Sequence, residues 1–414
     1  MSRNRWLGAQ GLTAQVVTVQ ITAADVTTTY KITMGSRVVS VLGLGSASLT
    51  AAALQAALAA SSFGEFAEVT WSVSTDTVTG TARTAGTPFT ATSSVSGGAG
   101  TIGSVTTTTA NKSPNDFNDA VNWSAGTVPA GTEDVDIDNS SIPIWWNLGA
   151  LSAVTLTSLN IPASYSGAIG LPEVNSLGSN SFEEYRATYL AIAATTVNVG
   201  VGSGPGIGRL KLNTGTAQTT INLWLTGGAL DATPGEVFLW KGTHASNVVN
   251  NYRGSFAAGA FAGELATIAT FRNGFVTDQA SDALSRMGGG CTLTTVTIGG
   301  GQLEMNSAAT TVNLDAGVLT TQGSGAITTL NATSGTHNHL SSGTITTYNM
   351  GPAALNCPSD VAQTITTLNA KQNGGVLVAP RGRLTLTNGI VPATTVNLST
   401  WQIEVGAGRT YTIT

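Results

Sequence analysis

Thr310-Thr311-Val312-Asn313, Thr328-Thr329-Leu330-Asn331, Thr346-Thr347-Tyr348-Asn349 and Thr366-Thr367-Leu368-Asn369 are copies of one phrase: two threonines, an apolar residue and an asparagine. The phrase also stands at Thr195-Thr196-Val197-Asn198, Thr219-Thr220-Ile221-Asn222 and Thr394-Thr395-Val396-Asn397. Weaker copies are Thr157-Ser158-Leu159-Asn160 and Thr294-Thr295-Val296-Thr297. From Val296 through Val312, Leu330, Tyr348 and Leu368 the apolar member advances by about 16, 18, 18 and 20 residues, the scale of one solenoid coil. Threonine and β-branched residues suit a half-buried pleated strand. The asparagine can hydrogen-bond backbone at a turn, and copies stacked from coil to coil would form a ladder. Gly299-Gly300-Gly301, Gly323-Ser324-Gly325 and Gly374-Gly375 supply turns between phrases. One coil cannot bury its apolar face alone, but a stack shares a core. A β-sandwich has no reason to repeat asparagine in phase, so the reading is a parallel β-helix over residues 151–414.

Composition supports a mainly β chain. At 414 residues it exceeds one ordinary domain. Only 9% of residues are charged and 41% are hydrophobic, which excludes a highly charged, disordered chain. A net charge of −5 and the lack of any Lys/Arg run give no footprint for nucleic acid. No run of apolar residues is long enough to span a membrane. Met1–Gly8 is basic without an apolar stretch, so the expectation is assembly in a cytoplasm and not export. Cys291 and Cys357 are too few for a disulfide framework and read as buried thiols in successive coils.

Ahead of the coils lies a different pattern. Residues 1–110 open with an arm whose Arg3, Arg5 and Trp6 either anchor on a neighbouring subunit or form a loose terminus around one buried Trp. Val17, Val19 and Ile21 alternate with polar residues, and Tyr30–Met34 and Arg37–Val41 pair as a hairpin across Gly35-Ser36. Ser48 is read as the cap of a helix from Leu49 to about Ala60, with Leu54 and Leu58 on one face. Strands around Trp71, Val78 and Phe89 complete a small α+β unit. Residues 111–150 contain Asn122-Trp123-Ser124-Ala125-Gly126-Thr127-Val128-Pro129 and then Asp134-Val135-Asp136-Ile137-Asp138, a cap that would plug the core with Trp123. The period breaks at about 163–192 and 229–290; the second break carries Trp240, His244, Tyr252, Phe256, Phe261 and Phe271, either as a binding loop or as a packing flap.

Two of these stretches carry a resemblance. Ile21-Thr22-Ala23-Ala24-Asp25, Tyr30-Lys31-Ile32-Thr33, Glu65–Thr70 and Ala85–Thr90 together resemble a module of tailed-bacteriophage and prophage structural proteins, over roughly the first quarter of the chain. The Asn122–Pro129 phrase with its acidic strand resembles the cap of β-helical phage and surface proteins. The resemblance implies a virion structural protein: a capsid decoration or head fibre attached through its N-terminal unit, partnered by other virion proteins and by itself as a homotrimer. Its alternatives are a tail fibre or tailspike that binds or depolymerises host-surface glycan, and a β-helical surface adhesin.

No catalytic, cofactor or metal residue is assigned. Asp134, Asp136 and Asp138 share a strand face and can be read as a calcium row or as an edge-blunting face; the second is preferred, since the glycine-anchored loop of a calcium site is missing. Glu183, Glu184, Glu236, Glu264, Asp278 and Asp282 are the acids available to a glycan hydrolase, but none stands in a motif that marks a pair. Adjacent Glu183 and Glu184 point apart on a strand. Glu304 and Asp315 are isolated. Gly200–Gly204 reads as a turn and not as a phosphate loop. His337 and His339 share a strand face; phage fibres imply His-x-His holding iron on a three-fold axis, whereas the residues alone read as surface histidines in a turn.

Overall fold

A computed structural model describes residues 3–177, 180–227, 237–274, 283–406 and 410–413. Strand makes up 47% of the chain and helix 6%, so the fold is mainly β. Two long parallel sheets account for most of it, one of 14 strands and one of 12. Consecutive strands alternate between them: Ala308–Leu314, Ile327–Ala332 and Ile345–Met350 are neighbours in the first, while Val318–Thr321 and Thr336–His339 fill the second. Each coil thus lays one strand on each sheet, as in a β-helix or similar solenoid. Among the described residues no helix is long and apolar enough to cross a membrane.

Between Thr310 and Asn369 the repeated phrase occupies one place in each coil, whereas the copy Thr394–Asn397 leaves the sheet and forms a turn, with Asn397 capping the short helix Leu398–Thr400. Thr311, Thr329, Thr347 and Thr367 are in register, as are Val312, Leu330, Tyr348 and Leu368, and then Asn313, Asn331, Asn349 and Asn369. The apolar members are fully buried in a core cluster that runs from Trp6 to Trp401. Ile327 and Leu330 are both buried, so the two threonines between them both face outward and strict alternation is broken; Ile345/Tyr348 and Ile365/Leu368 repeat the break. The asparagine is not at a turn. It lies inside the strand on the outer face, because the next inward position is taken by Leu314, Ala332, Met350 or Ala370.

Stacked asparagines form the ladder. Asn331 Nδ2 donates to Asn313 Oδ1 at 2.9 Å, Asn349 to Asn331 at 2.8 Å and Asn369 to Asn349 at 2.9 Å. A second run goes from Asn250 through Asn222, Asn198 and Asn160 to Asp136 at 2.9–3.1 Å. The runs are separated where Arg272 and Thr297 occupy the rung.

Segment 229–290, where the phrase fails, still supplies rungs: Phe238–Lys241, Val248–Asn251, Gly254–Ala258, Ala266–Asn273 and Ala283–Met287 continue both sheets. Phe256 packs against Phe238 and Phe271 at 5.4 and 6.0 Å between ring centroids, so large aromatics fill the core in place of the repeated aliphatics. Segment 163–192 makes a real excursion, the hairpin Val174–Leu177 with Asn180–Glu183.

The arm neither reaches for a neighbour nor hangs loose. Arg3–Arg5 is the first strand of the long sheet, parallel to Asp134–Asp136. Asn4 is fully buried, and Trp6 packs on Trp123 and Phe117 with centroids 5.2 and 6.4 Å apart. Trp123 Nε1 donates to the Phe117 carbonyl at 2.9 Å, so the end of the core is closed by three rings, one of them from the arm.

Residues between Thr13 and Thr109 form a five-stranded and a three-stranded antiparallel arrangement around helix Ala47–Ala59. They have a second buried cluster that includes Ile21, Tyr30, Leu54 and Val78. The helix is capped by Ser46 and not by Ser48: Ser46 is extended and its side chain accepts from Leu49 N at 3.2 Å.

This unit is not separate from the coils. Tyr185 lies so near Gly35, at φ +54°, that a Cβ there would come within 2.7 Å of Tyr185 Cβ. Tyr185 Oη donates to Glu68 at 3.1 Å and Arg186 Nη2 donates to Glu68 at 3.0 Å. The 163–192 excursion therefore clamps the two parts together.

Candidate functional site

The acidic row on the cap strand is a structural feature. Arg3 pairs with Asp136, and Arg5 Nε lies 3.0 Å from Asp138 Oδ1. Ser158 Oγ donates to Asp134 at 2.6 Å. The carboxylates thus face arm arginines and the start of the asparagine ladder. Among the described residues no group of three or more His, Cys, Asp or Glu is arranged to hold a metal ion.

His337 and His339 are neither at the surface nor in a turn. They lie in strand Thr336–His339 with side chains buried in the interior, in register with Leu319 and Thr321 of the preceding coil. That orientation removes them from any three-fold axis outside the coil. Thr321 Oγ1 lies 3.0 Å from His337 Nε2 and 2.9 Å from His339 Nδ1, so one hydroxyl bridges both rings. His337 stacks on Tyr348 at 5.7 Å, and Gln363 Nε2 donates to the His339 carbonyl. His337 Nδ1, His339 Nε2, Tyr348 Oη and Gln363 Oε1 are buried without a hydrogen-bond partner. Burial, with His339 beside it, holds His337 well below the usual imidazole range. Burial pushes His339 down to about 4. Both are neutral core groups at pH 7.

The candidate acids scatter. Glu236, Asp278 and Asp282 lie outside the described residues. Glu184 is buried and bound by Arg186, whose Nε donates to it at 2.7 Å, while Glu183 is exposed on the other side of the strand. Glu304 pairs with Arg286 at 2.9 Å, and Asp315 accepts from Thr333 Oγ1 at 3.0 Å. Cys291 and Cys357 are buried free thiols, both pushed up to about 12 by burial. Cys291 opens a strand of the first sheet and Cys357 directly follows the strand Ala354–Asn356 of the second, several coils on and not in the successive coil.

Glu183 and Glu264 do meet in one place, a cleft of about 670 Å³ on the outside of the second sheet. Glu173, Tyr189, Lys241 and Phe261 also line it. Buried Lys211 donates to Glu173 at 2.7 Å, and Lys241 Nζ lies 3.9 Å from the centre of the Tyr189 ring and 3.7 Å from Glu264. Burial and the facing Glu264 raise the Tyr189 hydroxyl's pKa. Two of these carboxylates are thus paired with lysines.

A second set of hollows lies where the N-terminal unit meets the coils, away from every copy of the repeated phrase. A cleft of about 410 Å³ is lined by Glu68, Arg83, Trp145, Trp146, Phe182, Arg186 and Arg209 among others. Arg186 is its electrostatic centre: the guanidinium lies 5.0 Å from the centre of Trp146, donates to Glu68 and Glu184, and gives Nη1 to the Pro88 carbonyl at 2.9 Å. Burial raises the Glu68 carboxyl and Arg186 partly offsets it; burial alone would lower Arg186, but its bonds to Glu184 and the charges around it leave it raised. The only legible signal was Trp145-Trp146, a rare aromatic pair just after the cap strand.

Comparison with family models, curated proteins and solved structures gives no match for this chain.

Proposed function

We propose that the chain is a virion structural protein of a tailed bacteriophage or prophage, a capsid decoration or head-fibre component that acts by binding and not by catalysis. The observation that carries this reading is an apolar edge on the N-terminal unit. Val38 and Leu42, 45% and 58% exposed, share the outer face of Arg37–Leu42, the edge strand of its sheet, and Leu44 and Leu49 are exposed just beyond. An exposed edge strand with apolar side chains is a ready pairing surface. The rest of the chain suits a part that holds its shape: a capped stack with a continuous core, braced to the N-terminal unit through Arg186. Docking through this face is mostly apolar and backbone-mediated, so bound protein resists moderate salt.

The test adds purified chain to particles lacking this protein. Val38→Asp with Leu42→Asp should abolish attachment while leaving the melting temperature of the coil unchanged. Attachment equal to the unmodified chain would overturn the role of this face. A fragment beginning at residue 111 is a poor reagent, because it lacks the arm strand and Trp6.

One feature favours a second reading, a tail fibre or tailspike acting on host glycan: the cleft that gathers Glu173, Glu183 and Glu264 beside Tyr189 and Phe261. Reducing-end release from host capsular or lipopolysaccharide glycan, lost in Glu183→Gln or Glu264→Gln, would establish it in place of the first.

A further inference from the structure

The hollows at the junction continue one another. The cleft of about 410 Å³ shares Trp145, Trp146 and Arg186 with a neighbour of about 280 Å³. That neighbour shares Pro88, Thr90 and Asn147 with a third of about 370 Å³, which reaches Asn111. Together they make an extended groove of ligand-binding size, walled by the N-terminal unit on one side and the first coils on the other.

Three features of the groove point to an occupant. Trp145 Nε1–H is buried with no acceptor. Asn111 is in the same condition at both ends of its amide, with Nδ2 and Oδ1 buried and unpartnered. Buried donors and acceptors are normally satisfied, so unpaired groups enclosed in the walls of adjoining hollows mark where a ligand that shifts the covering side chains would place its polar atoms. The third feature is Arg83, exposed at the mouth with no carboxylate partner among the described residues, while Arg186 beside it is already held by Glu68 and Glu184.

We propose that this groove binds an acidic oligosaccharide, with a carboxylate on Arg83, a ring against Trp145, and hydroxyls on the Trp145 N–H and the Asn111 amide. Sugar C–H faces pack on indole, and sugar hydroxyls both donate and accept, which is what an open amide requires. A planar guanidinium suits a carboxylate in two-point contact. Connected hollows suit a chain of sugar units better than one small molecule. The inference goes beyond virion attachment and stands on different residues from the Val38 and Leu42 face.

The experiment screens the full chain against immobilised oligosaccharides carrying uronate or sialate, alongside neutral ones of equal length, and titrates the best acidic probe by calorimetry. Saturable binding of an acidic probe is expected, with neutral probes at least tenfold weaker. Arg83→Gln should weaken binding tenfold or more. Trp145→Phe, which keeps an aromatic ring and removes the N–H, should weaken it severalfold, with both variants melting as the unmodified chain does. No saturable binding, equal binding of neutral probes, or affinity unchanged in both folded variants would each overturn the proposal. A chain that attaches to particles but binds no sugar overturns this inference and leaves the attachment reading intact.

Discussion

Acid should loosen the coil from within, through His337 and His339. Both imidazoles are buried and share the Thr321 hydroxyl; the other groups around them are the Tyr348 ring, Gln363 and, beyond Tyr348, the Cys357 thiol. None of these carries a charge at neutral pH, so nothing compensates a protonated ring. Folding depresses the pKa of each histidine, so the unfolded chain takes up protons first as pH falls below 6.5. The stability due to the neutral rings is complete above 6.5 and declines toward the folded value, about 4 for His339. At ~1.4 kcal/mol per tenfold change, that interval amounts to about 3 kcal/mol from His339 alone. The assay is urea unfolding at several pH values between 7.5 and 4 for the unmodified chain and for His339→Leu. The variant keeps an apolar side chain of similar bulk and leaves Thr321 bonded to His337. Its stability should fall with pH about one proton less steeply. Equal slopes for the two proteins, or a flat profile for the unmodified chain, would refute the argument.

Two further outcomes test the architecture. Asn331 gives its amide to Asn313 and accepts from Asn349, so Asn331→Ala should cost roughly 1–3 kcal/mol in urea unfolding by leaving both neighbours short of a partner; no measurable loss would mean the ladder is decorative. Trp6→Ala removes the arm's ring from the plug with Trp123 and Phe117 and should cost about 3–5 kcal/mol, whereas a loss under about 1 kcal/mol would mean that the arm is loose in solution.

The repeat was legible because each coil sets its residues by one rule. A position that must be apolar and a position whose neighbours above and below are its own copies leave a mark in the sequence at every turn. Phe256 and Phe271 defeat that signal without defeating the fold: a larger ring fills the bore as well as two aliphatics do, and the rung continues where the phrase fails. The histidines mislead for the opposite reason. Polar residues at alternate strand positions read as surface, and only the register against Leu319 and Thr321 turns them inward. The cap was legible in Trp123, but its partner Trp6 lies more than a hundred residues away in sequence, and no local pattern reports a contact of that kind.

The junction shows why the N-terminal unit and the coils do not come apart as independent pieces. Glu68 belongs to the N-terminal unit, Glu184 and Arg186 to the excursion from the coils, and Trp146 to the start of the coils. Removing the N-terminal unit would leave Arg186 and Glu184 without Glu68 and Pro88, and would strip the arm strand from the first rung. Breaking one member of a buried ion cluster is far more damaging than replacing the whole with apolar residues, because a charge is left behind. The groove that carries the unpaired Trp145 and Asn111 groups exists only while this clamp is closed, since its two walls come from different parts of the chain. The attachment proposed at the Val38 and Leu42 edge and the ligand proposed for the groove would therefore act on one braced body, and a perturbation of Arg186 should be felt at both.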